Sequence, residues 1–381
     1  MPRLLFLCEY PSLNGGEQSM LSVLTGIGKE GFVPTVLAPS DGPLAEALEA
    51  MRVETVPFNL HDSSGGKLTL SQRREELGRI LHYRRPGLLH ANSLSMSRLA
   101  GPVAAELGIA SIGHLRDIIR LNRQVVCDVN HHTRLLAVSR ATRDYHIEQG
   151  LDSQRVRVLH NGVDLTKFQP REPSGMLHRE LGVLPGTPLL GTIGQIGLRK
   201  AQDVLVQAAK LCVQRGNECH FVVIGRRHSE KDESRRFEAD LHAAAEGPLA
   251  GRLHILDIRD DIPAVLNELT LLIHPARQEP LGRVLLESLA SGLPVVATDV
   301  GGTREILLPE ADVGRLVAPN DAVGLAAAID GLLADAATRR RMAVKARKRA
   351  ETAFDVRVAA AGLAGHYNEV LATGRMANDY R

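Results

Sequence analysis

Residues 189–200 read LLGTIGQIGLRK: a short apolar run, glycines at positions 191, 194 and 197, and then the cations Arg199 and Lys200. An apolar run of this length that ends in a glycine-rich turn and continues into an amphipathic segment is typical of a buried parallel strand followed by a helix. The same alternation recurs from one end of the chain to the other. The sequence therefore predicts an α/β protein made of repeated βαβ units.

Two sets of such apolar runs predict two parallel sheets. The chain has 381 residues, which exceeds what a single hydrophobic core usually supports, so two domains are expected. Between the sets, residues 168–188 carry four prolines and lack clear periodicity, and they are predicted to form the linker. The predicted strands are 4–8, 33–38, 88–91, 109–114 and 135–139 in the first set, and 189–193, 220–224, 253–256, 271–275 and 294–298 in the second.

Composition excludes several classes of protein. The formal net charge of +2, the 3% aromatic content and the absence of Trp argue against nucleic acid as a partner. No apolar stretch approaches the ~20 residues of a membrane span, so a cytoplasmic protein is expected. The spacing of Cys8, Cys127, Cys212 and Cys219 fits neither a zinc site nor a CxxC motif and predicts buried free thiols. The Ser- and Gly-rich residues 61–67 are predicted to form a surface loop or a mobile flap.

Two glycine-rich turns are candidate anion sites. After the first strand, Gly15 and Gly16 precede a helix expected from about Gln18, and backbone N–H groups at a helix start can bind an anion. A tight turn with positive φ explains the pair equally well. The later GxxGxxG pattern is neither the dinucleotide motif GxGxxG nor a P-loop, which disfavours a nicotinamide dehydrogenase and an ATPase. Arg199 and Lys200 beside it can neutralise a diphosphate, or they can be solvated charges, an alternative that suits Arg199 better.

The stretch 274–287, HPARQEPLGRVLLE, is the most informative part of the chain. Glu279 follows a predicted strand, Gly282 lies near a helix N-terminus, and Glu287 lies inside that helix. Two carboxylates in this arrangement can accept hydrogen bonds from the hydroxyls of a sugar and a ribose, while the helix N-terminus between them binds phosphate. Alternatively, Glu279 caps the helix and Glu287 lies on its solvated face.

In this order along the chain, residues 14–17, 136–139, 156–168 and 279–294 resemble the motifs of the family-four retaining glycosyltransferases of the GT-B fold. The resemblance implies two facing Rossmann-like domains with parallel sheets and an interdomain cleft. It implies an N-terminal acceptor-side domain, residues 1–167 together with a C-terminal helix of about 356–381, and a donor-binding domain, residues 168–355. The C-terminal domain is then expected to bind a nucleotide-sugar.

The resemblance also implies roles for particular residues. Lys200 is expected to pair with the donor diphosphate, Glu287 to bind the ribose and Glu279 to bind hydroxyls of the transferred sugar. His114 is expected beside that sugar, with Arg116 and Asp117 close enough in sequence to orient it, although a lone histidine at a strand end is usually structural. The predicted catalytic residues are His114, Lys200 and Glu279, and the predicted donor-binding residues are Gly15, Gly16, Gln195, Arg199, Lys200, Glu279, Leu281, Gly282, Arg283 and Glu287.

Two positions depart from the family pattern. Gln195 stands where members commonly carry an arginine that supports the lysine, and Arg199 or Arg283 could compensate for it. Asp257 stands where a glycine usually precedes the loop that meets the base, so the base preference is open. The first departure motivates an alternative function, a catalytically silent homologue that binds nucleotide-sugar.

The predicted function is retaining transfer from a UDP- or GDP-sugar to a hydroxyl of a glycan, glycolipid or other small acceptor. No DxD pair occurs in the sequence, so no metal and no cofactor are expected. A related nucleotide-sugar epimerase or hydrolase remains an alternative. Basic stretches at 73–85 and 339–349 suggest a lipid-linked acceptor and a peripheral contact with the inner membrane face, or solvated helix faces.

Overall fold

The structure is a computed structural model that describes residues 1–61, 65–308 and 311–379. The chain forms two compact units, which we call unit 1 (Met1–Gly162 with Val356–Arg381) and unit 2 (Val163–Asp355). Each unit contains one sheet, and all strand pairs within both sheets are parallel in the described part of the chain. The predicted α/β class with parallel sheets is therefore observed.

Unit 1 alternates strands and helices along its whole length. Its strand order, β3-β2-β1-β4-β5-β6-β7, reverses between β1 and β4, and such a switch point is where ligands bind at the carboxyl ends of parallel strands. The elements are β1 (Arg3–Leu7), α1 (Gly15–Lys29), β2 (Val33–Ala38), α2 (Pro43–Ala50), β3 (Glu54–Pro57), α3 (Leu70–Arg84), β4 (Leu88–Ala91), α4 (Leu94–Glu106), β5 (Ser111–Leu115), α5 (Arg123–Val129), β6 (Arg134–Ala137), α6 (Arg140–Glu148) and β7 (Val156–Val158).

Unit 2 repeats the arrangement with the strand order β10-β9-β8-β11-β12-β13, which reverses between β8 and β11. Its elements are α7 (Met176–Leu181), β8 (Leu189–Ile193), α8 (Gln202–Gln214), β9 (His220–Ile224), α9 (Asp232–Glu246), β10 (Leu253–Leu256), α10 (Ile262–Glu268), β11 (Leu271–His274), α11 (Arg283–Ala290), β12 (Val295–Thr298), α12 (Thr303–Leu307), β13 (Gly314–Val317), α13 (Ala322–Ala334) and α14 (Ala336–Ala353).

The last helix, α15 (Val356–Asp379), belongs to unit 1 and packs against α1. Its apolar face, which includes Leu363 and Tyr367, is buried in the same core as β1 and α1. The two helices approach so closely that a Cβ on Gly26 would lie 2.5 Å from Cβ of Ala360. Residues 380–381 of the predicted C-terminal helix lie outside the described residues, and so do residues 62–64 of the predicted loop, whose ends His61 and Lys67 form an isolated bridge.

The predicted linker at 168–188 is wrong in detail, because it contains the helix α7 and lies within unit 2. Its irregular start is anchored by Glu268, whose carboxylate accepts hydrogen bonds from the backbone N–H and the hydroxyl of Ser174, both at 2.7 Å. The chain passes between the units at residues 162–163 and 355–356 instead.

Three of the four cysteines are buried and free, as predicted. Cys127 is also free but exposed, so the prediction of burial is wrong there, because α5 turns this residue outward. Among the described helices, none combines the length and the apolar character that crossing a bilayer requires.

Several arginines of the two basic stretches make contacts inside their own unit. Arg74 on α3 pairs with the buried carboxylate of Asp128 at 2.9 Å. Arg347 on α14 donates to the backbone carbonyls of Phe168 and Ala290, at 2.9 and 2.8 Å, and the second contact satisfies an acceptor at the end of α11. Part of each basic stretch therefore stabilises its own unit. The contact with a membrane stays a prediction.

Candidate active site

The glycine-rich loop after β8 is shaped by close backbone packing. Gly194 has φ of +142°, and a Cβ on Gly225, which follows β9, would lie 2.0 Å from the carbonyl oxygen of Gly194. Two loops therefore touch at the carboxyl ends of adjacent strands, where only glycine fits. The buried side chain of Gln202 fixes the next turn, since it accepts from the N–H of Gly197 at 3.2 Å and donates to the carbonyl of Gln195 at 3.0 Å.

This loop brings Lys200 to the end of β11. Lys200 Nζ lies 2.5 Å from Oε2 of Glu279, and the two side chains are 15% and 7% exposed. The same oxygen accepts a hydrogen bond from Nε2 of His274 at 2.9 Å. Because a carboxylate can only accept, the neutral His274 ring must carry its proton on Nε2. We call these three residues, Lys200, His274 and Glu279, the unit 2 triad.

Charge explains why a buried carboxylate stays ionised here. Burial by itself would raise the pKa of Glu279, but the Lys200 cation and the hydrogen bond from His274 outweigh it and hold the pKa well below its ordinary value. Burial and the Lys200 charge lower the pKa of His274, so its imidazole is neutral at pH 7. The alternative that Glu279 caps the following helix does not hold, because its carboxylate points to Lys200 and His274.

The start of α11 carries the next group of predicted residues. Gly282 is the N-cap residue at φ of +103°, where a Cβ would lie 2.7 Å from Cδ1 of Leu285. Leu281 before it is buried. One turn into the helix, Glu287 pairs with Arg283 at 3.0 Å, and both side chains are largely covered. Lys200 thus lies on the loop after β8, and the other three residues lie along the segment from β11 to α11: His274 ends β11, Glu279 follows in the connection, and Glu287 lies in α11.

The remaining predicted donor-binding residues of unit 2 are exposed. Gln195 is exposed in the loop after β8. Arg199 is also exposed and donates to the carbonyl of Gln278 at 3.2 Å. Within the described residues, no three His, Cys, Asp or Glu side chains lie together in a way that could hold a metal ion.

In unit 1, the predicted histidine belongs to a buried chain of polar rings. His114 on β5 places Nδ1 3.2 Å from Nε2 of His90, on the neighbouring strand β4. Nδ1 of His90 lies 2.6 Å from the hydroxyl of Tyr367 on α15. We call Tyr367, His90 and His114 the unit 1 relay. Burial lowers the pKa of both histidines well below the ordinary value, and the Arg116 charge adds to the effect.

Arg116 has a different task from the one that sequence proximity to His114 suggests. Its guanidinium donates to the backbone and side-chain oxygens of Asn92, both at 2.9 Å, and to Oδ1 of Asn161 at 3.0 Å. Asn92 in turn donates to the carbonyl of Gly16 at 3.2 Å. Asp117 offers its backbone carbonyl to His146 at 2.8 Å. Arg116 therefore organises the loops at the carboxyl ends of the strands.

The glycine pair of unit 1 lies inside the first helix, which begins earlier than predicted. Gly15 and Gly16 are the first two residues of α1, so a helix start near Gln18 is wrong, and neither glycine has positive φ. Asn14 is the N-cap, and its backbone carbonyl accepts a hydrogen bond from the N–H of Gln18 at 2.9 Å. A Cβ on Gly16 would lie 3.3 Å from Cδ of Arg116, so the small residue leaves room for that side chain.

Sequence reasoning missed the partners that Glu279 and His114 find in His274 and His90. His274 lay inside the predicted strand 271–275, and His90 lay inside the predicted strand 88–91. Polar residues at the carboxyl ends of neighbouring parallel strands are a signal that could have paired the histidines. Tyr367 has no such signal, because its place depends on where α15 packs.

Two family descriptions match the chain. Residues 13–167 match "Glycosyltransferase Family 4" and residues 177–349 match "Glycosyl transferases group 1". The D-inositol 3-phosphate glycosyltransferase of Nocardia farcinica is 32% identical over 52% of this chain and 44% of its own length. The chain spans about half the length of the first relatives that it matches. A GDP-mannose-dependent alpha-mannosyltransferase of Mycobacterium tuberculosis is 27% identical over 78% of this chain and 79% of its own length.

The fold comparison covers nearly the whole chain. Anabaena HepE, solved in complex with UDP-glucose, superposes with a TM-score of 0.82 at 21% identity, covering 98% of this chain and 100% of that one. This likeness and the two parallel-sheet, Rossmann-like units confirm the predicted fold class. The chain therefore belongs to the group 1, family 4 glycosyltransferases of the GT-B fold.

Proposed function

We propose that this chain is a retaining glycosyltransferase that moves a sugar from a UDP- or GDP-sugar to a hydroxyl of a glycan or lipid-linked acceptor. The unit 2 triad is the observation that carries the proposal. It places a cation, Lys200, and an ionised carboxylate, Glu279, within 2.5 Å of each other at the carboxyl end of β11, where an α/β sheet binds ligands. A nucleotide-sugar needs both: a cation for its diphosphate and a carboxylate for its sugar hydroxyls.

Donor binding redistributes the contacts of the triad. Lys200 turns from Glu279 to the diphosphate, while Glu279 exchanges the ammonium group for sugar hydroxyls and keeps its hydrogen bond from His274. Glu287 accepts hydrogen bonds from the ribose. The backbone N–H groups at Leu281 and Gly282, at the start of α11, add to the positive potential around the phosphates.

The transfer step breaks the bond between the anomeric carbon and the β-phosphate oxygen and forms a bond from that carbon to the acceptor oxygen. The acceptor attacks from the face that the diphosphate leaves, and the departing phosphate takes the acceptor proton. Lys200 stabilises the charge that develops on the nucleoside diphosphate, without a metal ion. Inversion of the anomeric configuration in the product would refute this mechanism.

The base is read at the ends of β9 and β10. Arg226 and Asp257 follow these strands and form a two-point ion pair, at 3.0 and 2.6 Å, with both side chains more than half exposed. Asp257 replaces a usual glycine, so this pair stands where the base preference is decided. One relative depends on GDP-mannose, and HepE was solved with UDP-glucose, so guanine and uracil are the two candidate bases.

Gln195 gives a second candidate function a specific basis. The residue is exposed and lacks the charge that family members usually carry there, so a homologue that binds nucleotide-sugar without transferring it is the alternative. Arg199, four positions on and exposed on the same loop, is the cation that supports Lys200 in the active enzyme. Measuring turnover of the nucleotide-sugar distinguishes the active transferase from the silent homologue.

The test is titration of the protein with UDP-, GDP- and ADP-sugars in EDTA, with binding and nucleotide release both followed. Glu287→Ala should weaken binding of the preferred donor about tenfold to a hundredfold, the value of hydrogen bonds to a charged group. Glu351→Ala is the matched control, because Arg347 and Glu351 form the same i,i+4 pair on α14, and it should bind as the wild type does.

Each outcome decides between the functions. Nucleotide release that requires an acceptor supports the transferase, and nucleotide release without an acceptor supports a hydrolase. Conversion of the donor into another nucleotide-sugar without nucleotide release supports an epimerase, and binding that leaves the donor unchanged under every condition supports the silent homologue. If no nucleotide-sugar binds, the proposed function is wrong.

A further inference from the structure

The unit 1 relay ends in a buried polar atom that has no hydrogen-bond partner among the described residues. Nε2 of His114 is buried, and within the described residues it has no hydrogen-bond partner. The other ring nitrogen faces His90 at 3.2 Å, with an angle of 27° between the two ring planes, close to coplanar. The unpartnered atom is therefore held in one direction by a chain of buried rings, and its chemistry depends on whether it carries a proton.

Two proton arrangements satisfy the two observed hydrogen bonds. In the first, the Tyr367 hydroxyl donates to Nδ1 of His90, and Nε2–H of His90 donates to Nδ1 of His114, which leaves the His114 proton on Nε2. In the second, Nδ1–H of His114 donates to His90, and Nδ1–H of His90 donates to the Tyr367 oxygen, which leaves a lone pair on Nε2 of His114.

The buried hydroxyl of Tyr367 distinguishes between the two proton arrangements. The side chain of Tyr367 is completely buried, and its hydroxyl contacts Nδ1 of His90 at 2.6 Å. The second arrangement leaves two groups without a partner in the described part of the chain, the hydroxyl hydrogen of Tyr367 and the lone pair on Nε2 of His114. The first arrangement pairs the hydroxyl hydrogen and leaves only the Nε2–H of His114 unpaired, and each unsatisfied buried polar group is costly. The first arrangement is therefore the stable one.

The surroundings keep every member neutral. Burial and the nearby Arg116 cation lower the pKa of both histidines, and burial raises the pKa of Tyr367 well above its ordinary value. A doubly protonated ring or a phenolate therefore does not compete with the two neutral arrangements at pH 7.

We propose that Tyr367, acting through His90, is a positioning residue that holds His114 with its proton on Nε2, so that His114 offers a hydrogen-bond donor to an oxygen of its ligand. His114 then cannot take a proton from the acceptor and is no general base. That the ligand is the transferred sugar rests on the proposed function. The C-terminal helix thus supplies a residue that sets the chemistry of a strand in the N-terminal sheet.

Ring 15N–1H correlation spectra of the 15N-histidine-labelled protein test the proposal without donor or turnover. In the wild type, the rings of His114 and His90, assigned with His114→Gln and His90→Gln, should both be protonated on Nε2. Tyr367→Phe keeps the ring packing but removes the hydroxyl, so neither arrangement is favoured. The tautomer ratio of both rings should then shift by about tenfold or more toward Nδ1–H.

Two controls accompany the variant. Tyr83→Phe changes a tyrosine that is 85% exposed on α3 and should leave all ring signals unchanged. The ring of His132, whose Nε2 faces the carbonyl of Ser97 at 2.9 Å, should stay protonated on Nε2 in every variant. If the His132 ring signals also changed in Tyr367→Phe, the variant would have disturbed the fold in general and not only the unit 1 relay.

A wild-type His114 ring protonated on Nδ1 would overturn the proposal, and this measurement needs no variant to fold. A wild-type Nε2–H that persists fully in Tyr367→Phe would remove Tyr367 from the role. In an active enzyme, Tyr367→Phe should lower kcat/KM for the nucleotide-sugar and leave the affinity for the bare nucleoside diphosphate unchanged. If no transfer occurs at all, the proposed function fails while the tautomer result still stands.

Discussion

Replacing Lys200 by Met should expose the electrostatic cost that the unit 2 triad now offsets. The substitution keeps most of the side-chain volume but removes the cation 2.5 Å from Glu279. The carboxylate is then left buried with the hydrogen bond from the neutral His274. Loss of one partner of a buried ion pair typically costs 3–5 kcal/mol, and because Lys200 is 15% exposed, water reaches the site and the expected loss is about 3 kcal/mol.

The assay is urea and thermal unfolding followed by circular dichroism at pH 7. For a unit of this size a loss of about 3 kcal/mol lowers Tm by about 10 °C. The double variant Lys200→Met with Glu279→Gln should recover most of the loss, since no uncompensated charge remains. As a control, Lys345→Met removes a lysine that is 49% exposed and pairs with Asp312 at 3.1 Å, and it should cost less than about 1 kcal/mol.

The pKa of Glu279 also predicts how the free energy of unfolding changes with pH. The depressed pKa of Glu279 contributes stability that is complete above the unfolded pKa of about 4.5 and is lost as the pH falls toward its folded value. In the Lys200 variant this contribution is missing, so the difference in free energy of unfolding between the wild type and the variant should stay constant from pH 7 to about 5 and narrow as the pH falls below about 4.5. A Lys200→Met protein as stable as Lys345→Met, or a double variant no better than the single one, would refute the reasoning.

Three further outcomes are expected. Burial lowers the pKa of His132 from 6.5 to about 4, so the unfolded chain binds a proton first, and stability falls as the pH drops through that window, by about 2 kcal/mol between pH 7 and 5. Replacing His132 with Gln should remove this part of the slope in urea unfolding. Gly225→Ala should cost about 3 kcal/mol or more, because its Cβ would meet the Gly194 carbonyl at 2.0 Å, whereas Gly197→Ala, with open space, should be nearly neutral in the same assay. Glu279→Gln frees Lys200, so calorimetry should find nucleoside diphosphate bound at least as tightly as by the wild type, while sugar transfer falls about a hundredfold or more.

The central strands could be predicted from the sequence, and three edge strands could not. β4 and β5 lie inside the sheet and are fully buried, so their sequences are continuous apolar runs with a polar residue near the end. β3, β7 and β13 each lie at an edge of a sheet and are partly exposed. A strand that is covered on fewer sides needs fewer apolar residues, and it therefore leaves no run to detect.

The candidate site, like the sheets, has one part that the sequence could indicate and another that it could not. Lys200, Glu279 and Glu287 could be singled out as candidates, because charged residues beside glycine turns and helix starts follow local rules. The orientation of His114 could not, because it depends on a tyrosine that is 277 residues from His90 in the chain and on the packing of α15 against α1. The partners of Arg116 could not be predicted for a related reason, because its closeness to His114 in sequence gives no information about the asparagines that the fold brings to it.

Under the proposed function, the triad keeps one buried carboxylate ready for a ligand that carries negative charge. Lys200 and Glu279 neutralise each other in this structure, so neither is buried as an unpaired charge. An incoming diphosphate competes for the same cation, and Glu279 would then be left unpaired if nothing else contacted it. The hydrogen bond from His274 and the sugar hydroxyls of the donor satisfy it at that moment. A nucleoside diphosphate without its sugar lacks these hydroxyls, so under the proposed function we expect the triad to favour the intact donor over the nucleotide product.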